Sequence, residues 1–129
     1  MPFVHLVIGL ALVQFILFGL AVARARERYN VPAPAMSGHE VFERYFRVQM
    51  NTLEQLVIFL PAVLLFSRYV NAYVAAGLGV VFLIGRFVYF RGYVRAARER
   101  HTGFVITAVA NVILLVGSLA GAINAAIHW

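Results

Sequence analysis

Two groups of polar side chains interrupt otherwise apolar stretches of the chain, and the spacing within each group predicts one face of a helix. The first group is spaced by three, four and three residues and consists of Arg44, Arg47, Asn51 and Glu54. The second is spaced by three, four and seven residues and consists of Arg86, Tyr89, Tyr93 and Arg100. Residues at such intervals are neighbours on a helix surface. Guanidinium groups beside tyrosine hydroxyls are suited to binding an anion or a thiolate.

A purely structural interpretation of the same residues is that they form ion pairs between helices. Glu54 would pair with Arg47 or Arg86, and Asn51 would donate and accept hydrogen bonds between helices. The stoichiometry argues against this, because arginines far outnumber carboxylates in this zone. An excess of cations within apolar helices is costly, and therefore favours a binding site for an anionic ligand.

The composition is typical of an integral membrane protein. The 129 residues are 63% hydrophobic and 12% charged, with no Lys and no Asp. Four segments, at about residues 3–24, 39–67, 72–97 and 102–127, reach the roughly 20 residues needed to cross a bilayer. Most connections between them are short, which makes neighbouring helices antiparallel. We therefore predict one all-α domain over residues 1–129, folded as an up-down bundle of four membrane-spanning helices.

The first span could instead be a signal peptide, but the stretch from Met1 to His5 contains no Lys or Arg, and we favour a retained span. Arginines cluster in the connection between spans 1 and 2 and at the end of span 3. The positive-inside rule places these regions in the cytoplasm. The net charge of +6 is explained by this topology and by anionic lipid headgroups, so no nucleic-acid partner is expected.

The residues available for metal and thiol chemistry are few. The chain has no cysteine, and its four histidines are scattered without the spacing of metal ligands, so we predict no metal site. Any thiol chemistry must therefore come from a bound small molecule.

The two polar groups are embedded in longer motifs that resemble those of a known family. The segment from Glu43 to Glu54, ERYFRVQMNTLE, is similar to the second-helix signature of the membrane-associated proteins in eicosanoid and glutathione metabolism, the MAPEG family. The segment from Gly85 to Tyr93, GRFVYFRGY, followed by Arg100, is similar to that family's third-helix signature. The resemblance implies a homotrimer with three glutathione sites at subunit interfaces, near the cytoplasmic face of the membrane. We expect this membrane to be a bacterial inner membrane.

The resemblance also implies roles for individual residues. The glycyl end of glutathione would be held by Arg26 and Gln49. The γ-glutamyl end would be held by Arg47, Asn51 and Glu54, together with Arg86 and Tyr89 across the interface. Tyr93 would lie near the thiol, and Arg100 would stabilise the thiolate.

Three positions depart from specialised branches of the family. Gln55 and Glu27 stand where leukotriene-forming members have Tyr and Arg, and His101 stands where the prostaglandin-synthase branch has Ser. We therefore predict a general glutathione transferase that conjugates glutathione to hydrophobic electrophiles delivered from the lipid, with reduction of lipid hydroperoxides as a second activity. The alternatives are a non-catalytic lipid-binding or scaffold member of the family and a small four-helix exporter. The exporter is disfavoured because the first span lacks an acidic residue.

Overall fold

The computed structural model describes all residues, 1–129, and contains helices and no strands. The order of the helices is α1 (Pro2–Tyr29), α2 (Glu40–Tyr69), α3 (Ala72–Arg95), a 3-10 helix (Ala97–Arg100) and α4 (His101–Ile127). All four α-helices are long and apolar enough to cross a membrane, α4 together with the 3-10 helix before it. The prediction of an all-helical chain with four such helices is confirmed.

Local side-chain chemistry explains where the helices begin and end. Asn30 ends α1 in the left-handed conformation, with φ of 56°, which asparagine tolerates better than most residues. His39 caps α2, its Nδ1 atom accepting from the backbone N–H of Val41 at 3.1 Å. Asn71 caps α3, its Oδ1 atom accepting from the backbone N–H of Val74 at 3.0 Å. The connection between α2 and α3 is short (70–71), whereas that between α1 and α2 is longer (30–39).

Helices α2 and α3 form the centre of the bundle. Each packs against the other and against both outer helices, whereas α1 and α4 hardly touch one another. The outward faces of α1 and α4 expose large apolar side chains, as expected for surfaces that contact lipid. Examples are Leu6, Leu10, Ile16, Leu20, Val109, Val112 and Val116.

The interior of the bundle differs between its two halves. We call the half that contains both chain ends and the α2–α3 turn the apolar half. It is filled by a hydrophobic core in which the rings of Phe59 and Phe82 stack 4.0 Å apart. We call the half that contains the α1–α2 loop and the 3-10 helix the polar half. Its interior holds the buried side chain of Arg86, and all the predicted site residues lie in it or at its surface.

Candidate functional site

Arg86 lies in the interior of the polar half, close to the middle of α3, and is completely buried, with 0% of its surface exposed. Its Nε atom donates to Thr107 Oγ1 at 3.0 Å, and its Nη1 atom donates to Asn51 Oδ1 at 2.8 Å and to Thr52 Oγ1 at 3.2 Å. No carboxylate pairs with this guanidinium, and its Nη2 atom has no partner. Arg86 thus links α3 to α2 and α4 entirely through neutral acceptors.

Two glycines allow α3 and α4 to approach closely enough for this network. A Cβ atom on Gly103 would collide with the backbone of Tyr89, and one on Gly85 would lie 2.9 Å from the backbone nitrogen of Thr107. Only residues without a side chain fit at such a contact. The close approach places the Thr107 hydroxyl within hydrogen-bonding distance of Arg86.

A ladder of two cations with two aromatic rings between them leads from Arg86 to the surface. The guanidinium carbon of Arg86 lies 4.3 Å from the ring centroid of Tyr89. The rings of Tyr89 and Tyr93 meet edge to face at 5.4 Å. The guanidinium carbon of Arg100 lies 5.8 Å from the ring centroid of Tyr93. These distances are within the range of cation–π and aromatic contacts, so the ladder brings four predicted site residues into one continuous arrangement.

Arg100 reaches this ladder by a different route from the one that its spacing suggested. Helix α3 ends at Arg95, Ala96 is extended, and the 3-10 helix then turns back towards α3. Gly92 makes the return possible, because a Cβ atom there would collide with the backbone oxygen of Glu99. The prediction that Arg100 shares a helical face with Tyr93 is therefore wrong, although the two side chains do meet.

Two exposed charged side chains of α2 have no ion-pair partner within the chain. Arg47 and Glu54 are both exposed, and neither forms an ion pair. The only two ion pairs are Arg44 with Glu40, at 3.2 Å, and Arg95 with Glu99, at 3.8 Å. The interpretation of Glu54 as the structural partner of Arg47 or Arg86 does not match the structure.

Arg26 of α1 and Gln49 of α2 lie where these two helices face one another. The Nη1 atom of Arg26 donates to the backbone oxygen of Ala35 at 2.6 Å, and its guanidinium lies over the ring of Phe42 at 4.8 Å. Arg26 therefore holds the α1–α2 loop against the bundle. Gln49 packs its amide against Gly19, where a Cβ atom would lie 2.9 Å from Nε2 of the glutamine.

A second polar network, one helical turn from Asn51, joins α2 to α4. The Nδ2 atom of Asn111 donates to the side-chain Oε1 atom of Gln55 at 2.9 Å and to its backbone oxygen at 3.3 Å. Asn111 thus forms hydrogen bonds between helices. The sequence reasoning missed Thr52 and Thr107. The available signal was that each neighbouring span contains a hydroxyl that can accept a hydrogen bond from a buried arginine.

A groove of about 360 Å³ lies beside the polar half, between α1 and the aromatic residues Tyr45 and Phe90. Leu17 and Leu20 supply apolar surface, and Arg24 is among the lining residues. Exposed cations, tyrosine hydroxyls and adjoining apolar surface thus occur together at this end of the bundle. Such an arrangement can hold an anionic polar molecule next to an apolar one.

Comparisons with known proteins identify the family of the chain. The model of the MAPEG family matches residues 4–120. Over 114 residues, the chain is 46% identical to an uncharacterised protein of Synechocystis sp., covering 88% of this chain and 83% of that protein. It is 40% identical to human microsomal glutathione S-transferase 2, covering 79% of this chain and 70% of that protein. It is 34% identical to rat leukotriene C4 synthase, covering 87% of this chain and 81% of that protein. The chain therefore belongs to the MAPEG family.

Proposed function

We propose that this protein is a membrane-bound glutathione transferase that binds glutathione as a thiolate and conjugates it to hydrophobic electrophiles. The observation that carries the proposal is the set of exposed cations that have no carboxylate partner, above all Arg100 beside Tyr93. Membership of a family that includes microsomal glutathione S-transferase 2 and leukotriene C4 synthase supports glutathione as the co-substrate.

The charges of glutathione match those of the exposed side chains. Glutathione carries two carboxylates, one ammonium group and one thiol. In our proposal, Arg47 and Asn51 bind the γ-glutamyl end and Glu54 accepts from its ammonium group. Arg26 and Gln49 bind the glycyl end. Guanidinium–carboxylate contacts are among the strongest charge-assisted hydrogen bonds, which favours arginine for this role.

Two residues predicted to hold the γ-glutamyl end are buried within this chain. Arg86 is 0% exposed and Tyr89 is 3% exposed. In our proposal Arg86 supports Asn51, to which it donates at 2.8 Å, instead of contacting the ligand. Tyr89 connects this network to Tyr93 through its ring, at 5.4 Å.

Arg100 and Tyr93 would carry out the chemical step. A free thiol is only about 3% ionised at pH 7, so a nearby cation that favours the thiolate greatly increases the reactive fraction. Arginine supplies a permanent positive charge, and the Tyr93 hydroxyl can donate a hydrogen bond to sulfur. The thiolate then attacks the electrophilic carbon, a C–S bond forms, and the leaving group departs or the product takes up a proton. Reduction of a lipid hydroperoxide is the second activity that we propose: the thiolate takes one peroxide oxygen to give a sulfenic acid and the lipid alcohol, and a second glutathione converts the sulfenic acid to glutathione disulfide and water.

The proposal includes a homotrimer in which α2 of one subunit and α3 of the next enclose each site. The exposure of Arg47 and Glu54 in a single chain supports this, because a neighbouring subunit would supply the missing wall. The electrophile would arrive from the lipid along the groove that contains Leu17 and Leu20. By the distribution of arginines, the sites would face the cytoplasm, and we propose a bacterial inner membrane as the location.

The test is the ultraviolet absorbance of glutathione thiolate on mixing glutathione with the detergent-purified protein at pH 7. Arg100→Ala should abolish the signal and lower kcat/KM for a small electrophile by about 100-fold, because it removes the charge that stabilises the anion. Arg98→Ala is the matched control, since Arg98 is exposed in the same 3-10 helix and has no assigned role. It should keep the wild-type signal.

Two other outcomes would count against the proposal. If calorimetry detects glutathione binding to the wild-type protein but the thiolate absorbance is absent, the non-catalytic lipid-binding or scaffold role would be favoured. Equal loss of the signal in both arginine variants would show that general positive charge, and not Arg100, is responsible.

A further inference from the structure

A second cluster of charged side chains lies on the side of α3 that faces away from Tyr89 and Tyr93. Arg91 stands midway between these two tyrosines in the sequence, and a step of two residues is a rotation of about 200° around a helix. Arg91 is exposed, whereas Tyr89 is buried. The cluster is therefore separate from the ladder that leads to Arg100.

The cluster borders an open groove between α3, the 3-10 helix and the start of α4. The groove has a volume of about 530 Å³. Its polar lining is contributed by four exposed side chains, those of Arg91, Arg95, Glu99 and Thr102. Two guanidinium groups, one carboxylate and one hydroxyl thus surround the same space.

The two cations of the groove are only partly neutralised. Arg95 Nε lies 3.8 Å from Glu99 Oε2, which is too long for a hydrogen bond. Arg91 has no carboxylate partner, and its guanidinium carbon lies 5.9 Å from the ring centroid of Phe87. With two arginines and one glutamate, the groove has a net charge of +1. It therefore suits an anion that carries a single negative charge.

An exposed apolar surface leads away from the groove along α3. It consists of Val80, Ile84 and Phe87, and we call it the apolar stripe of α3. From Val80 to Arg91 the spacing is four, three and four residues, which places these side chains on one face of the helix. Because α3 is long and apolar enough to cross a membrane, this face is suited to contact with acyl chains. The arginines lie at the end of the stripe where headgroups are found.

A general preference for arginine at the membrane surface accounts for only part of this arrangement. That preference requires cations near headgroups, but it does not require a groove that joins them to a hydroxyl group and to an apolar stripe. Arg98 shows the difference, since it is exposed in the same 3-10 helix and does not line this groove. The groove has the parts needed to hold one amphiphilic anion.

We propose that this groove binds the headgroup of an anionic phospholipid, whose phosphodiester carries one negative charge. Arg91 and Arg95 bind the phosphate oxygens, the Thr102 hydroxyl donates a hydrogen bond to them, and an acyl chain follows the apolar stripe of α3. Guanidinium groups suit phosphate because they can donate two parallel hydrogen bonds. Basic pockets between membrane-spanning helices are known to bind anionic headgroups on the cytoplasmic side. The inference is independent of the proposed function, because the groove uses the opposite side of α3 from Tyr93.

The test is the binding of phosphatidylglycerol to the purified whole chain in dodecyl maltoside, followed by native mass spectrometry and by thermal unfolding. Phosphatidylcholine with the same acyl chains is the reference lipid. The wild type should bind phosphatidylglycerol at least about tenfold more tightly than phosphatidylcholine. Arg91→Gln should reduce this preference to about twofold or less, because it removes the unpaired cation. Its thiolate signal with glutathione should remain that of wild type.

Arg68→Gln is the matched control. Arg68 is also exposed and has a guanidinium carbon 5.6 Å from an aromatic centroid, that of Tyr69, but it lies at the other end of the bundle. This variant should keep the wild-type preference for phosphatidylglycerol. Arg91→Lys retains the positive charge and should keep most of the preference, so it tests the proposal even if Arg91→Gln fails to fold.

Glu99→Gln distinguishes an anionic headgroup from a zwitterionic one. Loss of the carboxylate raises the net charge of the groove to +2 and should tighten the binding of phosphatidylglycerol about threefold. Tighter binding of phosphatidylethanolamine than of phosphatidylglycerol, lost in Glu99→Gln, would show instead that the carboxylate holds an ammonium group, and would overturn the proposal.

Three further results would also contradict the proposal. One is equal binding of phosphatidylglycerol and phosphatidylcholine by the wild type. Another is an equal loss of the preference in Arg91→Gln and Arg68→Gln. The third is that soluble glycerol phosphate, at the same concentration as the lipid, protects the protein from thermal unfolding equally well, because the apolar stripe would then have no part in binding.

Discussion

At the tightest glycine contacts, the chain segments approach one another through different atoms in the two halves of the bundle. In the apolar half, a Cβ atom on Gly79 or Gly117 would meet side chains, the methyl group of Val7 and the ring of Phe66. In the polar half, a Cβ atom on Gly103 would meet the backbone of Tyr89. Side chains can move aside, whereas the backbone of a helix cannot, so the polar half has the less adjustable geometry.

The polar groups show the same contrast. In the apolar half, the one buried hydroxyl, of Ser118, donates to the backbone oxygen of Ala62 at 2.8 Å. In the polar half, one guanidinium donates to side chains of two other helices, among them Thr107 on α4. The hydrogen bonds of the polar half therefore depend on fixed distances between helices, since short hydroxyl side chains reach Arg86 only if the helices are close.

The largest effect should come from adding one methyl group in the polar half. Gly103→Ala forces α4 away from α3 at a contact that involves backbone atoms, and we expect a loss of about 3 kcal/mol in stability and of glutathione binding. Gly9→Ala is the control, because nothing lies within 4 Å of its added Cβ atom. It should be neutral or stabilising by up to about 1 kcal/mol. The measurement is thermal unfolding in detergent, and equal unfolding temperatures for the two variants would contradict the comparison.

Removing a buried hydroxyl should have a smaller effect on stability, and the effect should differ between Thr107 in the polar half and Ser118 in the apolar half. Thr107→Val keeps the shape of the side chain but removes the acceptor of a charged donor, and should cost about 2 kcal/mol. Ser118→Ala removes a donor to a backbone carbonyl and should cost about 1 kcal/mol. Glutathione affinity should fall only in Thr107→Val, because Arg86 then loses part of its support. An equal fall in affinity for both variants would show that the two halves are not distinct.

Much of the helical architecture could be predicted from the sequence because apolar runs of membrane length are unambiguous. The contacts among Arg86, Tyr89 and Tyr93 could also be predicted, since three- and four-residue spacing fixes a helical face. The contact between Arg100 and Tyr93 does not follow from the residue spacing, because the chain leaves the helix at Ala96 and folds back over Gly92.

The remaining features depend on contacts between distant parts of the chain. The hydrogen bond of Arg26 to Ala35 depends on the path of the α1–α2 loop, which no helical periodicity determines. Thr52 and Thr107 look like packing residues in an apolar run, and only the three-dimensional arrangement makes them acceptors for Arg86. The assignments of individual residues to parts of glutathione stay predictions.

The central claim, that the polar half binds glutathione, is tested most directly by titration calorimetry of the detergent-purified protein with glutathione. The matched titrant is cysteinylglycine, which has the same thiol and glycyl carboxylate but lacks the γ-glutamyl group. The account predicts saturable binding of glutathione and binding at least about tenfold weaker for cysteinylglycine, because Arg47, Asn51 and Glu54 would lose their partner. Equal affinity for the two titrants, or no binding of glutathione, would contradict it.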